Sequence, residues 1–386
     1  MDLLEPAHWT LPDPKRVIEI LRERDPASRE RHVQHWSFSK QVSPLSLYCY
    51  LKSRFGDPNG FAMTLRTPSV DNLIHWHYTL QCGDVVIDVH GLDTRTTIAM
   101  HDAGSDDLDW RGLESSLSRE IESKATEVRS VRDGLERWKL FVNPYKKLSD
   151  GIRGHLRRLD ELEPQARTIP EPTADEEDLA QFKVAMLKAQ HVCGEVASIC
   201  ASLRMMAPVL GESAVNLLLC ILGKPEIRTD QRMRDSVSRE HIDVRLRKIH
   251  LSCDGISAIQ GSEDEVKAFH RLMQNRNDLL HGNVPVPKNS TPSEVVYFDH
   301  RTIPLVEEHR SLAEIALRTS VADLGVEQAR SDVAVAERFV AFLLSKLDGD
   351  VKDAVEIAFD QLQLGYHPTE KRLGAILPSH RTDLII

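Results

Sequence analysis

Cysteine is sparse and unpatterned in this chain. The six thiols, at positions 49, 82, 193, 200, 220 and 253, include no Cys-x2-Cys pair. That removes the usual zinc-knuckle and dithiol-redox signatures, and it predicts reduced, mostly buried thiols of a cytoplasmic protein. Long apolar runs are also missing. The longest, near 214–222, falls well short of the roughly 20 residues that span a bilayer, so no membrane partner is expected. The start, Met1-Asp2-Leu3-Leu4-Glu5-Pro6, has no basic segment of the signal-peptide kind. There is no Gly-x4-Gly-Lys-Ser/Thr loop, no strand-borne Gly-x-Gly-x-x-Gly and no Gly-x-Ser-x-Gly elbow. Nucleotide hydrolysis, dinucleotide chemistry and serine hydrolysis therefore find no support, and no cofactor is expected. No internal repeat or long low-complexity tract is present. A net charge of −10 argues against bulk electrostatic attraction to nucleic acid.

What is present divides the chain. All five Trp (9, 36, 76, 110 and 138) lie in the first 138 residues, which points to a first domain with its own core. Residues 1–105 read as a small α+β domain. A helix is expected around Asp13–Glu23, followed by strands at Phe61–Arg66, Leu73–Cys82, Asp84–His90 and Thr94–Met100. The Cys82-Gly83-Asp84 turn should join the middle two as an antiparallel hairpin. Asp102–Asp107 reads as a boundary loop. Residues 106–174 read as a helical connector, with charged helices at Leu113–Trp138 and Lys146–Glu161 and a linker at Pro164–Pro172. Residues 175–350 read as a helical bundle. In it, Asp175-Glu176-Glu177-Asp178 opens a helix, Val209–Leu222 forms an apolar helix, Val295–Phe298 is a β-prone insert, and Leu305–Leu324 and Glu327–Leu347 are helices. Residues 351–386 read as a last helix and a loose tail. The whole is a multidomain, mainly α protein.

One segment suggests chemistry. From Glu263 to His281 there is no Pro or Gly, and Gly282, Pro285 and Pro287 then stop the helix. At about 100° per residue, Val266, Phe269, Met273 and Leu280 form one arc, extended by Leu272 and Leu279. Arg276 falls inside that arc, with Asn277 and His281 on its edge, four residues apart. A buried Arg requires an anion. The bland account is a carboxylate that locks two helices together; the functional account is a cleft or dimer seam that holds phosphate. The same Arg-x4-His spacing recurs at Arg245 and His250, but without the following Asn and Gly, and that copy reads as a solvated basic face.

Arg276-Asn277-x3-His281 resembles the Arg-x4-6-His signature of the HEPN superfamily, which often carries Asn after the Arg. The order of helices around it, over roughly residues 175–350, fits too. Residues 1–105 resemble no family. The resemblance implies a metal-independent endoribonuclease that works as a homodimer with a composite site, often in toxin or antiviral defence. Its inactive relatives bind partners or nucleotides, so a catalytically silent module for RNA, nucleotide or protein binding is the alternative. The residues suit the chemistry by themselves. His281 can exchange the proton of an RNA 2′-hydroxyl. Arg276 can hold the phosphate as charge builds. Asn277 can orient His281 or bond a phosphate oxygen. The product would be a 2′,3′-cyclic phosphate, and DNA would survive.

Supporting residues follow from the apolar helix. Glu212 and Asn216 are its main polar residues and share one face, so Glu212 should bond Arg276 or another cation. Arg239, Arg245, Arg247 and Lys248, in a locally basic stretch, are candidates to guide RNA, against the bland reading of a solvated helix face. The first domain would sense a trigger, bind a regulatory partner or restrain the nuclease. Finally, His75 and His77 share one strand face, as do Asp88 and His90 on the expected partner strand. This quartet has the composition of a metal site, although paired structural histidines are the commoner outcome, and no metal is assigned.

Overall fold

The computed structural model describes residues 3–13, 15, 33–67, 70–101, 108–170, 176–281, 295–307 and 312–377, without the side chains of 176–179. Most of the Asp13–Glu23 helix, the 102–107 loop, the acidic side chains at 175–178, the Gly282–Pro287 stop and the segment after Leu377 lie outside the described residues. The fold is mainly helical with an antiparallel sheet in the N-terminal region. Two compact units divide the chain, Met1–Arg137 together with Ile376–Ile386, and Trp138–Ala375.

The first unit is built on four strands, β1 (Val33–Phe38), β2 (Trp76–Cys82), β3 (Val85–Gly91) and β4 (Thr96–His101), in the order β1-β4-β3-β2 and antiparallel throughout. The expected hairpin forms between β2 and β3, with Cys82 opposite Val85. Gly83 sits at φ +61° in its two-residue loop, a conformation that costs glycine little. Alternation sorts the sheet into two faces. Tyr78, Leu80, Ile87, Val89, Ile98 and Met100 face a core that is completed by Leu47, Tyr50 and Leu51 of α1 (Pro44–Phe55). Leu113 and Leu117 of α2 (Trp110–Ser123) and Val128 of α3 (Ala125–Asp133) join them.

Two expectations change here, and one element is added. The helices at 110–133 pack into the first unit rather than forming a connector, because their apolar stripes are needed to close this core. Phe61–Leu65 is a 3-10 turn rather than a strand; it lies beside the outer strand β2, where Gly60 N–H donates to the His77 carbonyl at 2.9 Å, and Phe61 and Leu65 are exposed. β1 is the strand that sequence patterning overlooks: only Phe38 of its residues is buried, so it shows no apolar alternation.

The second unit is a helical bundle. Its main members are α4 (Pro144–Ala166), α5 (Glu176–Leu222), α9 (Asp264–Leu280) and α11 (Val326–Ser345). Three short helices, α6 (Pro225–Thr229), α7 (Gln231–Arg239) and α8 (Ile242–Ser252), carry the chain from α5 towards α9. After α9 come the exposed two-stranded ribbon of β6 (Tyr297–Asp299) and β7 (Ile303–Leu305), then α10 (Leu312–Ala322). The axis of the bundle is α5, 47 residues long with Pro208 inside it. The apolar segment at 209–222 is thus the second half of a longer helix. Pro208 removes one helical hydrogen bond, a defect worth about 3 kcal/mol in an isolated helix. Burial of Leu203, Ala207, Leu210 and Ala214 around it holds the helix together. Ala180–Leu222 is long and apolar enough to cross a membrane by length and composition, which a search for uninterrupted apolar runs does not reveal because charged residues punctuate it. Its buried residues belong to the core of the bundle.

Residues 363–374 are ordered strands rather than part of a loose tail. Helix α12 (Gly349–Asp360) leads into β8 (Gln363–His367) and β9 (Arg372–Gly374), which pair with β5 (Lys139–Val142) in the order β5-β8-β9. Asn143 fastens this sheet to the bundle. Its Oδ1 caps α4 by accepting from the Tyr145 and Lys146 N–H groups, at 3.0 and 3.4 Å. Its Nδ2 donates to the carbonyls of Ala358 and Gln361, both at 3.0 Å. The linker expected at 164–172 begins later than predicted, since α4 runs through Pro164 to Ala166.

Candidate functional site

Helix α9 starts where the sequence predicts. Glu263 is its N-cap residue and Asp264 and Glu265 occupy its first turn, favourable for the positive helix end. Val266, Phe269 and Leu272 are buried. The Phe269 ring stacks on Phe339 of α11, with centroids 4.0 Å apart. Gly211 of α5 makes this approach possible: a Cβ there would lie 2.3 Å from the Phe269 ring. The close crossing of α5 and α9 brings the polar residues of α5 alongside the last turns of α9.

There, Glu212 holds two cations. Its Oε2 accepts from Arg276 Nη1 at 3.1 Å, and its Oε1 lies 3.6 Å from Arg245 Nη2. Arg245 Nη1 also donates to Asn216 Oδ1 at 2.6 Å. Arg276 in turn donates to Asn277 Oδ1, from Nε at 3.4 Å and from Nη2 at 3.2 Å. Asn216, Arg245, Glu212, Arg276 and Asn277 therefore form one chain of polar contacts. Two guanidinium groups against one carboxylate leave an excess positive charge. The Arg276 side chain is 19% exposed, so one side of it meets solvent. His281 is the C-cap of α9; its N–H donates to the Asn277 carbonyl at 3.0 Å, and the residue is exposed.

No known protein family, curated protein or solved structure matches this chain.

Two sequence expectations about this region fail. Arg245 is not on a solvated face, because the residue is 8% exposed. Burial pulls its guanidinium below the usual value, against the opposing pull of Glu212 and Glu240. The signal was present: Ile242, Arg245, Leu246 and Ile249 follow the i, i+3, i+4, i+7 pattern of a buried stripe, and all four are buried. Second, the apolar arc of α9 is not covered at its end. Leu279 and Leu280 are 39% and 61% exposed. Helical periodicity identifies the apolar face, not whether another element reaches far enough to cover it. Of the other basic candidates, Arg239 and Arg247 are exposed, and Lys248 is paired with Glu240 at 2.9 Å.

The histidines of the first unit make a different arrangement from a metal quartet. His77 lies opposite His90, and Thr79 opposite Asp88. Asp88 accepts from His77 Nε2 and His101 Nε2, both at 3.0 Å, and from the Thr79 hydroxyl at 2.7 Å. His77 Nδ1 accepts from the Ala62 N–H at 3.2 Å, so both ring nitrogens are engaged. Burial alone would raise the Asp88 carboxyl; the hydrogen bonds from His101, His77 and Thr79 outweigh it and hold the group well below the usual carboxylate range. His75 pairs instead with Asp93, and His90 stacks on His77. Among the described residues, no group of three or more His, Cys, Asp or Glu side chains is placed to hold a metal. The cluster reads as a buried brace across β2, β3 and β4.

Proposed function

We propose that the second unit is a HEPN-like bundle and acts as a metal-independent endoribonuclease in a homodimer. The observation that carries this reading is the end of α9. A half-buried Arg276 is held by Glu212 from the neighbouring helix, one turn before an exposed His281 at the helix C-cap. The pairing with Glu212 uses Nη1 and fixes the guanidinium plane, while the solvent side remains open to a phosphate oxygen. His281 supplies the proton acceptor: it takes the proton from the RNA 2′-hydroxyl as that oxygen attacks the adjacent phosphorus. The 5′-oxygen of the next nucleotide leaves and accepts a proton, and a 2′,3′-cyclic phosphate remains. One imidazole per chain serves one of these proton transfers, so a second copy supplies the other. Exposed Leu279 and Leu280 beside the site fit burial against that copy. The natural setting of such an activity is the cytoplasm, in toxin or antiviral defence, with the first unit as the binding surface for a regulatory partner.

The test is incubation of the purified protein with RNA and with DNA of the same sequence, in EDTA, beside His281→Ala and Arg276→Ala. RNA cleavage to 2′,3′-cyclic ends by the wild type, lost in both folded variants, supports the reading. Cleavage that survives His281→Ala refutes it. The Arg276–Glu212 bridge also favours a second reading, in which the cluster braces a silent binding module. In that case Arg276→Ala lowers the melting temperature, and the dimeric wild-type protein binds RNA without cutting it.

A further inference from the structure

A pocket of about 220 Å³ opens in the second unit between the end of α5, the short helices α6 and α7, and the β8–β9 hairpin. Its floor is apolar: Leu219, Ile227, Val237 and Leu373 line it. Three cations stand around it, Arg228, Arg234 and Lys371, and no carboxylate is among its lining residues. None of the three is ion-paired to a carboxylate among the described residues. In a chain with ten more acidic charges than basic ones, this concave site carries a local excess of positive charge, which attracts anions.

The cations are positioned by the fold. Arg234 Nη1 donates to the Arg228 carbonyl at 2.6 Å, which ties α7 to α6. Arg228 Nε is buried without a hydrogen-bond partner among the described residues, a donor whose desolvation the protein itself leaves uncompensated. Lys371 is held at φ +55° in the β8–β9 turn, with its ammonium 5.9 Å from the Tyr366 ring centroid. A left-handed backbone is uncommon for Lys, yet it projects a cation from this hairpin.

We propose that this pocket binds a small amphipathic anion: a short apolar chain or ring that fills the floor and ends in one carboxylate or phosphate held by Arg228, Arg234 and Lys371. The proposal is independent of the ribonuclease reading, because none of these residues belongs to the α9 site. The pocket does border it through Asn216, which both lines the cavity and accepts from Arg245.

Cys220 provides a local reporter. It lines the pocket and is the one exposed thiol of the six; the other five are buried. Its dense surroundings push the thiol above the ordinary value, with Arg234 pulling the other way, so alkylation is best followed at mildly alkaline pH. The experiment measures alkylation of Cys220 in the full chain by iodoacetamide, using peptide mass spectrometry, with hexanoate, hexyl phosphate, hexan-1-ol or hexylammonium present. Calorimetric titration of the same four compounds gives a second, label-free readout. The expected result is that one or both anions bind and slow Cys220 alkylation by about fivefold or more at saturation, whereas the alcohol and the ammonium do not, a discrimination of about 1 kcal/mol or more. The two anion arms separate a carboxylate ligand from a phosphate ligand. Lys371→Asn tolerates the left-handed backbone while removing the charge, and should weaken anion binding by about fivefold to tenfold. Val237→Trp should fill the floor and abolish both protection and heat. Equal binding of all four compounds, binding of none at millimolar concentration, or anion binding untouched by Val237→Trp overturns the proposal.

Discussion

Glu212 places one carboxylate between Arg276 and Arg245, and removing either kind of partner has unequal consequences. Loss of the anion leaves Arg245 buried with only Asn216 as a strong acceptor, whereas loss of Arg245 leaves Glu212 paired with Arg276. Glu212→Ala should therefore destabilise the protein by about 2–4 kcal/mol, and Arg245→Met, which keeps the apolar stem, by roughly 1 kcal/mol or less. Urea titration of both variants checks the order; equal losses would show that the cluster does not depend on its carboxylate. Asp88 gives a pH prediction. Its folded carboxyl is held below its unfolded value, so its contribution is present above about pH 4, the unfolded carboxylate range, and declines as pH falls below it towards the depressed folded value. The stability of the first unit should drop on acidification below about pH 4, and Asp88→Asn should be less stable at neutral pH with a flatter acid limb. Far-UV circular dichroism of melting between pH 2 and 7 would measure this. Arg276, Asn277, His281 and Glu212 were all legible as residues in the sequence. Arg245 and the Asp88 brace depend on which side chains of separate elements meet.

At the scale of elements, the angle and depth at which α9 crosses α5 rest on Gly211. A methyl group there would lie 2.3 Å from Phe269 and 3.1 Å from Phe339. The stacked rings cannot retreat without opening the core, so Gly211→Ala should destabilise the protein by about 1–3 kcal/mol. It should also reduce any activity of the α9 site more than it reduces helix content, because Arg276 moves away from Glu212. A variant with unchanged melting and unchanged activity would mean that the crossing is set elsewhere. Helix α9, the β2–β3 hairpin, α11 and the β-prone segment before residue 300 follow from local patterns, since each has its own period, caps or turn residues. The joining of 176–222 into one helix does not, because Pro208 is a local stop signal overridden by burial on both sides. Nor does the partnership of β5 with β8, which are more than two hundred residues apart and are brought together through Asn143 and α12.

For the whole molecule, the exposed end of α9 is the surface on which a dimer prediction can be made. Leu280 is exposed in the single chain, so a charge there should be tolerated by the monomer. Leu280→Asp is expected to change the melting temperature of the isolated chain little, to shift a dimer towards monomer in sedimentation, and to abolish RNA cleavage that depends on two chains. A dimer that persists and cleaves with this substitution places the interface on another surface. The two units also differ in chemistry: the first holds Asp88, His77 and His101 in a closed brace, whereas the second keeps an Arg and a His at a helix end and a cation-ringed pocket open to solvent.

The sequence alone determined the helical period, the hairpin, the two-part composition and the presence of an Arg-Asn-x3-His helix end, because each is written in residues close along the chain. Only the tertiary structure decided that Arg245 joins Glu212, that helices 110–133 close the first core, that the C-terminal strands return to β5 and that Leu280 stays bare. Those outcomes depend on which surfaces remain to be buried once the local elements have formed, and no local pattern encodes that remainder.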